Sequence, residues 1–496
     1  MQASVHLDTH HHRGEIDRRI FSGFLEHLGR AVYEGVYDPG NPLSDERGFR
    51  QDVLAILKPL RMPAVRYPGG NFVSCYDWKD GIGRPPQRPV RPDYAWRSRE
   101  TNQFGTDEFM AWCRAVDTEP MMAVNLGTLG TAAAGELVEY CNLPVGTMWS
   151  DRRRANGHAE PYGVKLWCLG NEMDGIWQAG HVPADEYARR AQQAAVMMKG
   201  LDPTIQTIAC GSSFRAIPTY MHWERTVLEY AFDQIDFISA HRYSSNDRQD
   251  SAWFLAEGVE IDRVIDDYAG LLSYVRAVKR SNRQIYLSFD EWNVWYKDRN
   301  GDGNWAAAPH LLEEVYNLED ALVCAQYLSS FIRHADVVKL ACIAQIVNVI
   351  APVLTRAEGS LIQSIYYPFL LYSQNAAGVS LNAAVTTGTY TAGERGEVPA
   401  IDVAASYDAA SRQVSLFLVN RHQGEAADVE VQLSDARIEK IVNQETMGGG
   451  DVKAANTWTH PDRVRPTRGK AVVEDGKLRC PIPAPGLMVL RCELTR

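Results

Sequence analysis

From Ile20 onward the chain alternates between short apolar runs and longer stretches whose apolar residues recur at helical spacing. The short runs read as strands buried on both faces, the longer stretches as amphipathic helices. Eight such runs are FSGFLEH (21–27), AVRYPGG (64–70), MMAVNLG (121–127), VKLWCLGNE (164–172), TIQTIACGS (204–212), IDFISAHRY (235–243), QIYLSFDEW (284–292) and VVKLACIAQ (337–345). Between the fourth and fifth, ADEYARRAQQAAVMMKG (184–200) carries apolar residues at helical spacing and closes on Gly200. This alternation predicts an α/β fold, a parallel (β/α)8 TIM barrel.

After about Tyr372 the helical spacing disappears. AIDVAASYD, QVSLFLVNR, ADVEVQLS and LMVLRCEL alternate, or run as short strands between turn residues. They predict an accessory antiparallel β-sandwich of jelly-roll-like form. ASVHLD (3–8) also alternates, with Val5 and Leu7 on one face, and is expected to add a strand to that sandwich. The expected division is 1–17 as an N-terminal strand joining the sandwich, 18–372 as the catalytic barrel and 373–496 as the C-terminal sandwich.

The barrel runs share polar ends. Glu26, Arg66, Asn125, Asn171 with Glu172, His241 with Tyr243, Glu291 and Gln345 all fall at or just past a C-terminal end. In a barrel of this type those ends converge on one mouth, where active sites lie. One polar residue there is usually a cap, whereas a ring of them is hard to explain by capping. Asp174 is read as a helix cap, and Asp290 as the structural partner of a neighbouring base.

Two long segments interrupt the rhythm. YDWKDGIGRPPQRPVRPDYAWRSRETNQFG (76–105) is rich in Pro, Arg and aromatic residues, has no period, and is placed to wall a pocket at the mouth. YKDRNGDGNWAAAP (296–309) reads as a flexible loop. Its DRNGDG resembles a calcium loop but lacks the downstream Glu spacing and flanking helices.

Composition narrows the partners. The formal net charge of −11 argues against nucleic acid and anionic membranes, which need basic patches. The 45% hydrophobic and 23% charged content is ordinary for a soluble globular chain. No apolar stretch is long enough to span a membrane, and MQASVHLDTHHHRGEIDRR has no apolar signal core, so a cytoplasmic protein is expected. The nine cysteines are scattered without a CxxC pair, and Cys168, Cys210 and Cys342 sit inside apolar runs as reduced core residues. THHHR (9–13) offers an HxH pair in His10 and His12, but further converging ligands are missing, and the segment reads as a polar linker.

The chemistry rests on Glu172, ending the fourth run, and Glu291, ending the seventh. Across one mouth they suit glycoside cleavage with retention, which needs two carboxyl groups about 5–5.5 Å apart. One must stay protonated near neutrality, as burial and a neighbouring carboxylate arrange. The other must stay ionised, as donors such as Arg66 or Tyr243 favour.

With those residues in place, the sequence resembles the retaining glycosidases of clan A, and more closely glycoside hydrolase family 51, the α-L-arabinofuranosidases. The resemblance is carried by FSGFLEHLGRAVYEGVYDPGNP (21–42), VRYPGGNFVSCYDWKDGIG (65–83), WCLGNEMDGIWQAGH (167–181), SAHRY (239–243) and DEWNVWY (290–296). It implies Glu172 as acid/base and Glu291 as nucleophile. It implies Glu26, Asn71 and Asn171 as partners of the sugar hydroxyls, and Arg66 and Tyr243 beside the nucleophile. Trp295, Phe24 and Gln345 would line the pocket, with His241 in support. Asn71, following two glycines, also suits a turn.

The expected activity is exo-acting release of L-arabinose from arabinan or arabinoxylan oligosaccharides by double displacement, with no metal or organic cofactor. A homo-oligomer, a hexamer by family resemblance, is also expected. The alternatives are another specificity on the same site (endoglucanase or xylosidase), a non-catalytic sugar-binding barrel, and a metal hydrolase built on His10 and His12.

Overall fold

The computed structural model describes residues 1–495. Its centre is a closed barrel of eight parallel strands: Ser22–Phe24, Ala64–Tyr67, Glu119–Val124, Leu166–Leu169, Gln206–Ala209, Phe237–Ser244, Tyr286–Val294 and Val338–Ala344. Each comes from one of the eight apolar runs, in the same order. The eighth closes on the first, with Cys342, Ile343 and Ala344 beside Ser22, Gly23 and Phe24. Several strands stop short of their apolar run, because the tails (PGG, NLG, GNE) turn into the loops of the mouth.

The barrel interior is filled, not open. Phe24, Ala64, Met121, Ala123, Leu166, Cys168, Ile208, Phe237, Leu340 and Cys342 pack inside it as one cluster. The outer helices bury the stripe their sequence predicts. In Ala184–Leu201 that stripe is Tyr187, Ala188, Ala191, Ala194, Ala195 and Met198, whose small members let the helix lie close to the sheet. All nine cysteines are free, and Cys75 alone is exposed. Among the described residues no helix is long and apolar enough to cross a membrane.

Twelve of the remaining strands form two larger sheets, and the other six pair off as three two-stranded ribbons. The seven-stranded sheet is antiparallel and runs from His12–Glu15 through Val379–Leu381, Ile401–Asp408, Gln413–Asn420, Gly486–Thr495 and Arg437–Gly448 to Thr467–Arg468. The five-stranded sheet holds Gln2–Leu7, which pairs antiparallel with Ala384–Thr386 but parallel with Ala427–Leu433. One expectation changes here: the polar linker contains a strand, since His12, Gly14 and Glu15 pair with Leu381, Ser380 and Val379. An exposed edge strand has no buried face to impose apolar residues, so its sequence reads as linker.

Helix Leu318–Arg333 lies between barrel and sandwich and is buried along nearly its whole length. At its end the Arg333 guanidinium bonds Asp262 on the barrel side at 2.9 Å and Asp402 in the sandwich at 3.0 Å. Arg421 adds a second bond to Asp402 at 2.6 Å. Although burial alone would raise it, the Asp262 carboxyl is held well below its ordinary range by Arg333 and His334.

Candidate active site

The mouth gathers the polar strand ends. Glu291, at the end of the seventh strand, is held from two sides: Arg66 Nη1 donates to its Oε1 at 2.6 Å and the Tyr243 hydroxyl to its Oε2 at 2.9 Å. Tyr243 keeps its proton, because burial and the Glu291 charge push the phenol well up. The second arm of Arg66 donates to Asn171 Oδ1 at 2.6 Å. The Phe24 ring lies against this guanidinium, its centre 4.6 Å from the guanidinium carbon. Burial would lower the Arg66 pKa, but Asp290 and Glu291 hold it well above the ordinary value.

Glu172 follows Gly170, at φ 89°, and itself sits at φ 43°. That left-handed conformation is uncommon for a residue with a side chain. It turns the carboxylate into the mouth, where Oε1 lies 3.0 Å from His241 Nδ1 and Oε2 accepts from the Trp177 indole at 2.8 Å. One carboxylate oxygen of Glu172, one of Glu291 and a ring nitrogen of His241 lie within 4.8 Å of one another. The two acids thus stand beside one another, the close arrangement a retaining pair uses.

His241 bridges the two acids. Its Nε2 is 3.1 Å from Asp290 Oδ1, and its Nδ1 also lies 3.6 Å from Glu291 Oε2. Burial works against its charge, but Glu291, Asp290 and Glu172 together raise its pKa to about 10. At neutral pH the ring is therefore an imidazolium donating from both nitrogens.

Glu26 is the third carboxyl of the mouth. Its Oε1 accepts from Phe72 N at 2.9 Å and from the Trp96 indole at 3.0 Å, while its own backbone N–H donates to Gln345 Oε1 at 2.9 Å. Burial, reinforced by the Glu291 charge, raises its pKa to about 8 against the pull of those two bonds. Gly70 makes room between these groups. A methyl group on it would sit 3.0 Å from Glu291 Oε1, 3.3 Å from Glu26 Oε2 and 3.4 Å from Asn171 Nδ2. Three polar atoms thus face one small space, the arrangement that suits a polyhydroxylated ring.

The remaining expected residues divide. Asn71 opens a single 3-10 turn (Asn71–Cys75), and its Oδ1 accepts from Asn171 at 3.3 Å. Trp295 caps Tyr243 edge-on, with ring centres 5.6 Å apart. Asn125 turns away: its Oδ1 accepts from the backbone of Gly127 and Thr128, closing its own loop. Asp174 is not a helix cap, for the next helix starts at Ala184. Its carboxylate instead takes Ser213 N at 3.1 Å and Ser213 Oγ at 2.5 Å, tying the loop after the fourth strand to that after the fifth. His12 lies in a sandwich strand, away from the barrel mouth.

Trp96 and Trp177 were not among the expected site residues. Both stand in stretches that drew notice, the long loop and the GNE segment, but nothing local says where an indole points. The loop at 296–309 is tied to the 76–105 loop: Gly303 N donates to Trp96 O at 2.8 Å and Arg99 N to Ala306 O at 3.0 Å. Arg97 and Asp302 add an ion pair at 2.9 Å. Its calcium-like spacing consists of successive Asx turns, Asn300 N to Asp298 Oδ1 and Asn304 N to Asp302 Oδ1 among them.

Two family profiles match this chain: the "Alpha-L-arabinofuranosidase 1 domain" over residues 56–263 and the "Alpha-L-arabinofuranosidase C-terminal domain" over 290–485. An intracellular exo-α-(1→5)-L-arabinofuranosidase of Halalkalibacterium halodurans is 44% identical over 483 residues, 96% of each chain. An exo-α-(1→6)-L-arabinofuranosidase of Bifidobacterium longum is 43% identical over 90% of this chain and 88% of its own. Among solved structures, a family 51 α-L-arabinofuranosidase from Bifidobacterium longum superposes with a TM-score of 0.95 at 37% identity, covering 99% of both chains.

Proposed function

This chain belongs to the α-L-arabinofuranosidases of glycoside hydrolase family 51, and on that premise we propose that it removes terminal L-arabinofuranose from short arabinose-containing oligosaccharides with retention of configuration. The observation that carries the retaining mechanism is the close approach of Glu172 and Glu291, whose oxygens lie 3.0 and 3.6 Å from the same His241 nitrogen.

In this reading Glu291 attacks the anomeric carbon while Glu172 passes to the departing oxygen the proton it shares with His241, whose Nδ1 lies 3.0 Å from its Oε1. A covalent arabinosyl–enzyme forms, and water deprotonated by Glu172 then releases arabinose. Arg66 and Tyr243 hold the nucleophile in place, one on each carboxylate oxygen. Glu26, Asn71 and Asn171 take the sugar hydroxyls around the space above Gly70, and a protonated Glu26 can donate as well as accept there. The bonded pair of loops, with Trp96 at its inner edge, closes one side and favours exo action. No step calls on a metal or organic cofactor.

The proposal extends to organisation. Residues 18–372 act as the catalytic unit and 1–17 with 373–496 as the sandwich, supported by the pairing of strands near both termini. The site works inside the cell, as the Halalkalibacterium relative is named to do. The protein assembles as a homo-oligomer, a hexamer, which light scattering reads directly.

The test is hydrolysis of an activated aryl α-L-arabinofuranoside by the wild type, Glu172→Ala and Glu291→Ala, with and without azide. Both variants are expected to be crippled, with azide restoring turnover of Glu172→Ala through a retained product and of Glu291→Ala through an inverted one. Swapped azide products would reverse the two roles, and a wild type that prefers another glycoside would remove the sugar assignment.

A further inference from the structure

Glu26 and His27 are neighbours in the chain whose side chains part. Glu26 faces the sugar space, whereas His27 enters a cage of aromatic rings. Tyr33, Tyr67, Phe72, Tyr76 and Phe104 surround the imidazole, with centroids 4.8–6.3 Å away. Its Nε2 lies 2.7 Å from the Tyr67 hydroxyl, and its Nδ1 lies 2.8 Å from Glu100 Oε2. His27 and Glu100 are each 5% exposed. No step above uses this pair.

Glu100 belongs to the long loop. Within that loop Arg91–Asp93 and Ser98–Glu100 form a hairpin, Arg91 opposite Glu100 and Asp93 opposite Ser98, and Trp96 stands in its turn. Among the described residues no third strand joins it. So short a ribbon does not hold its shape alone in water, and it is held by what it touches. At the turn, the Trp96 indole bonds Glu26. At the foot, Glu100 Oε1 accepts from Asn102 N at 2.5 Å and from the Tyr33 hydroxyl. Burial and the Glu100 charge push the Tyr33 phenol well up, so the hydroxyl keeps the proton it donates. Two successive residues after the first barrel strand, Glu26 and His27, thus meet the two ends of one hairpin.

The foot is more than packing. Among the described residues no Lys or Arg pairs with Glu100; its charged-group neighbour is His27. A carboxylate buried among rings is a costly way to stabilise a fold, because an apolar pair of the same shape avoids the desolvation. What the carboxylate adds is direction. Its bonds to Tyr33 and Asn102, beside His27, fix one placement of the hairpin and so one placement of the indole at its turn.

We infer that Glu100 is a positioning residue for the hydrolysis: seated against His27 and Tyr33, it holds the hairpin so that the Trp96 indole reaches Glu26 at the edge of the sugar space. The inference rests on the arabinofuranosidase reading and goes beyond it in giving the reaction a residue that touches neither the sugar nor the two catalytic acids.

The experiment is a double-mutant cycle on the full chain, with wild type, Glu100→Gln, Trp96→Ala and the double variant compared by kcat/KM on an aryl α-L-arabinofuranoside. Glu100→Gln keeps the side-chain shape and removes the charge. It is expected to lower kcat/KM about tenfold where Trp96 is present and by less than about twofold where Trp96 is absent, a coupling of the size found within one bonded network. A merely structural role lowers activity by the same factor in both backgrounds, and that result would overturn the proposal. So would a Glu100→Gln variant within about twofold of wild type. If Glu100→Gln does not fold, Tyr33→Phe, which removes only the hydroxyl on Glu100, runs the same cycle, with about a threefold loss expected beside Trp96 and none without it. A wild type inert on the arabinofuranoside removes the reading and this role together, whereas an active wild type with equal factors removes the role alone.

Discussion

The indole N–H of Trp96 donates to Glu26 Oε1 over 3.0 Å, although the two residues stand 70 positions apart and on different loops of the barrel. The longest irregular segment of the barrel thus ends on a carboxyl of the sugar space and is not mere surface. Trp96→Phe keeps the wall and removes the donor, and is expected to lower kcat/KM on an arabinofuranoside by about three- to tenfold, the usual worth of one hydrogen bond. Trp96→Ala removes the wall as well and is expected to lose more. Steady-state kinetics separate the two, and equal losses would deny the wall a role.

Glu26 gives a pH-dependent stability with a definite sign. Its carboxyl is raised from 4.5 to about 8, chiefly by burial, so between those values the folded protein holds a proton that the unfolded chain has released. Stability at this site therefore falls as pH rises from about 4.5 through about 8 and levels off above. Glu26→Gln cannot titrate. The melting temperature of the variant minus that of the wild type is expected to increase with pH across that window. A difference independent of pH would show that Glu26 is ionised in the fold.

Gly70→Ala places a methyl group 3.0 Å from Glu291 Oε1 and 3.3 Å from Glu26 Oε2. The backbone there has φ −86°, so no left-handed strain is added. The variant is expected to fold and to lose about a hundredfold or more in kcat/KM, because the methyl occupies the space for the sugar and a small misplacement of reacting groups costs that much. Circular dichroism confirms the fold, and kinetics the loss.

Arg66→Lys tests the fork. One guanidinium holds Glu291 and Asn171 together, each at 2.6 Å. A lysine ammonium is a point charge without that planar pair of donors. The expected outcome is a fall in kcat of about a hundredfold or more, with a loss of stability of about 3 kcal/mol for a disrupted buried pair. Urea unfolding reads the stability term separately.

Glu172, His241 and Glu291 are close enough to resemble a cation site. Both ring nitrogens of His241 already face carboxylates, however, Nδ1 that of Glu172 and Nε2 that of Asp290, and these acids raise its pKa, so a cation here would have to displace a proton. Activity is expected to survive exhaustive treatment with a chelator at neutral pH. A loss that added zinc restores would sink this account of the histidine.

The sequence made the barrel legible because strands buried on both faces must be apolar throughout, and the polar residues that end them then stand out. Glu172 and Glu291 were visible for that reason. His12–Glu15 was not, since an exposed edge strand imposes no pattern. Asp174 followed the habit of an acid after a strand end and was read as a cap, but its partner Ser213 lies 39 positions on. Trp96 and Trp177 act through loop conformation, which their neighbours in sequence do not encode.

Gln2–Leu7 finds its parallel partner in Ala427–Leu433, and the amino terminus bonds Ala426, 425 positions away. During synthesis, at about 5–20 residues per second, that strand emerges on the order of 20–85 seconds before the segment it pairs with. Through that interval Val5 and Leu7, both buried in the finished sandwich, have no cover from it while the barrel is being made. Until then the first strand is an unpaired strand with apolar side chains, open to pairing with another chain when expression outruns folding.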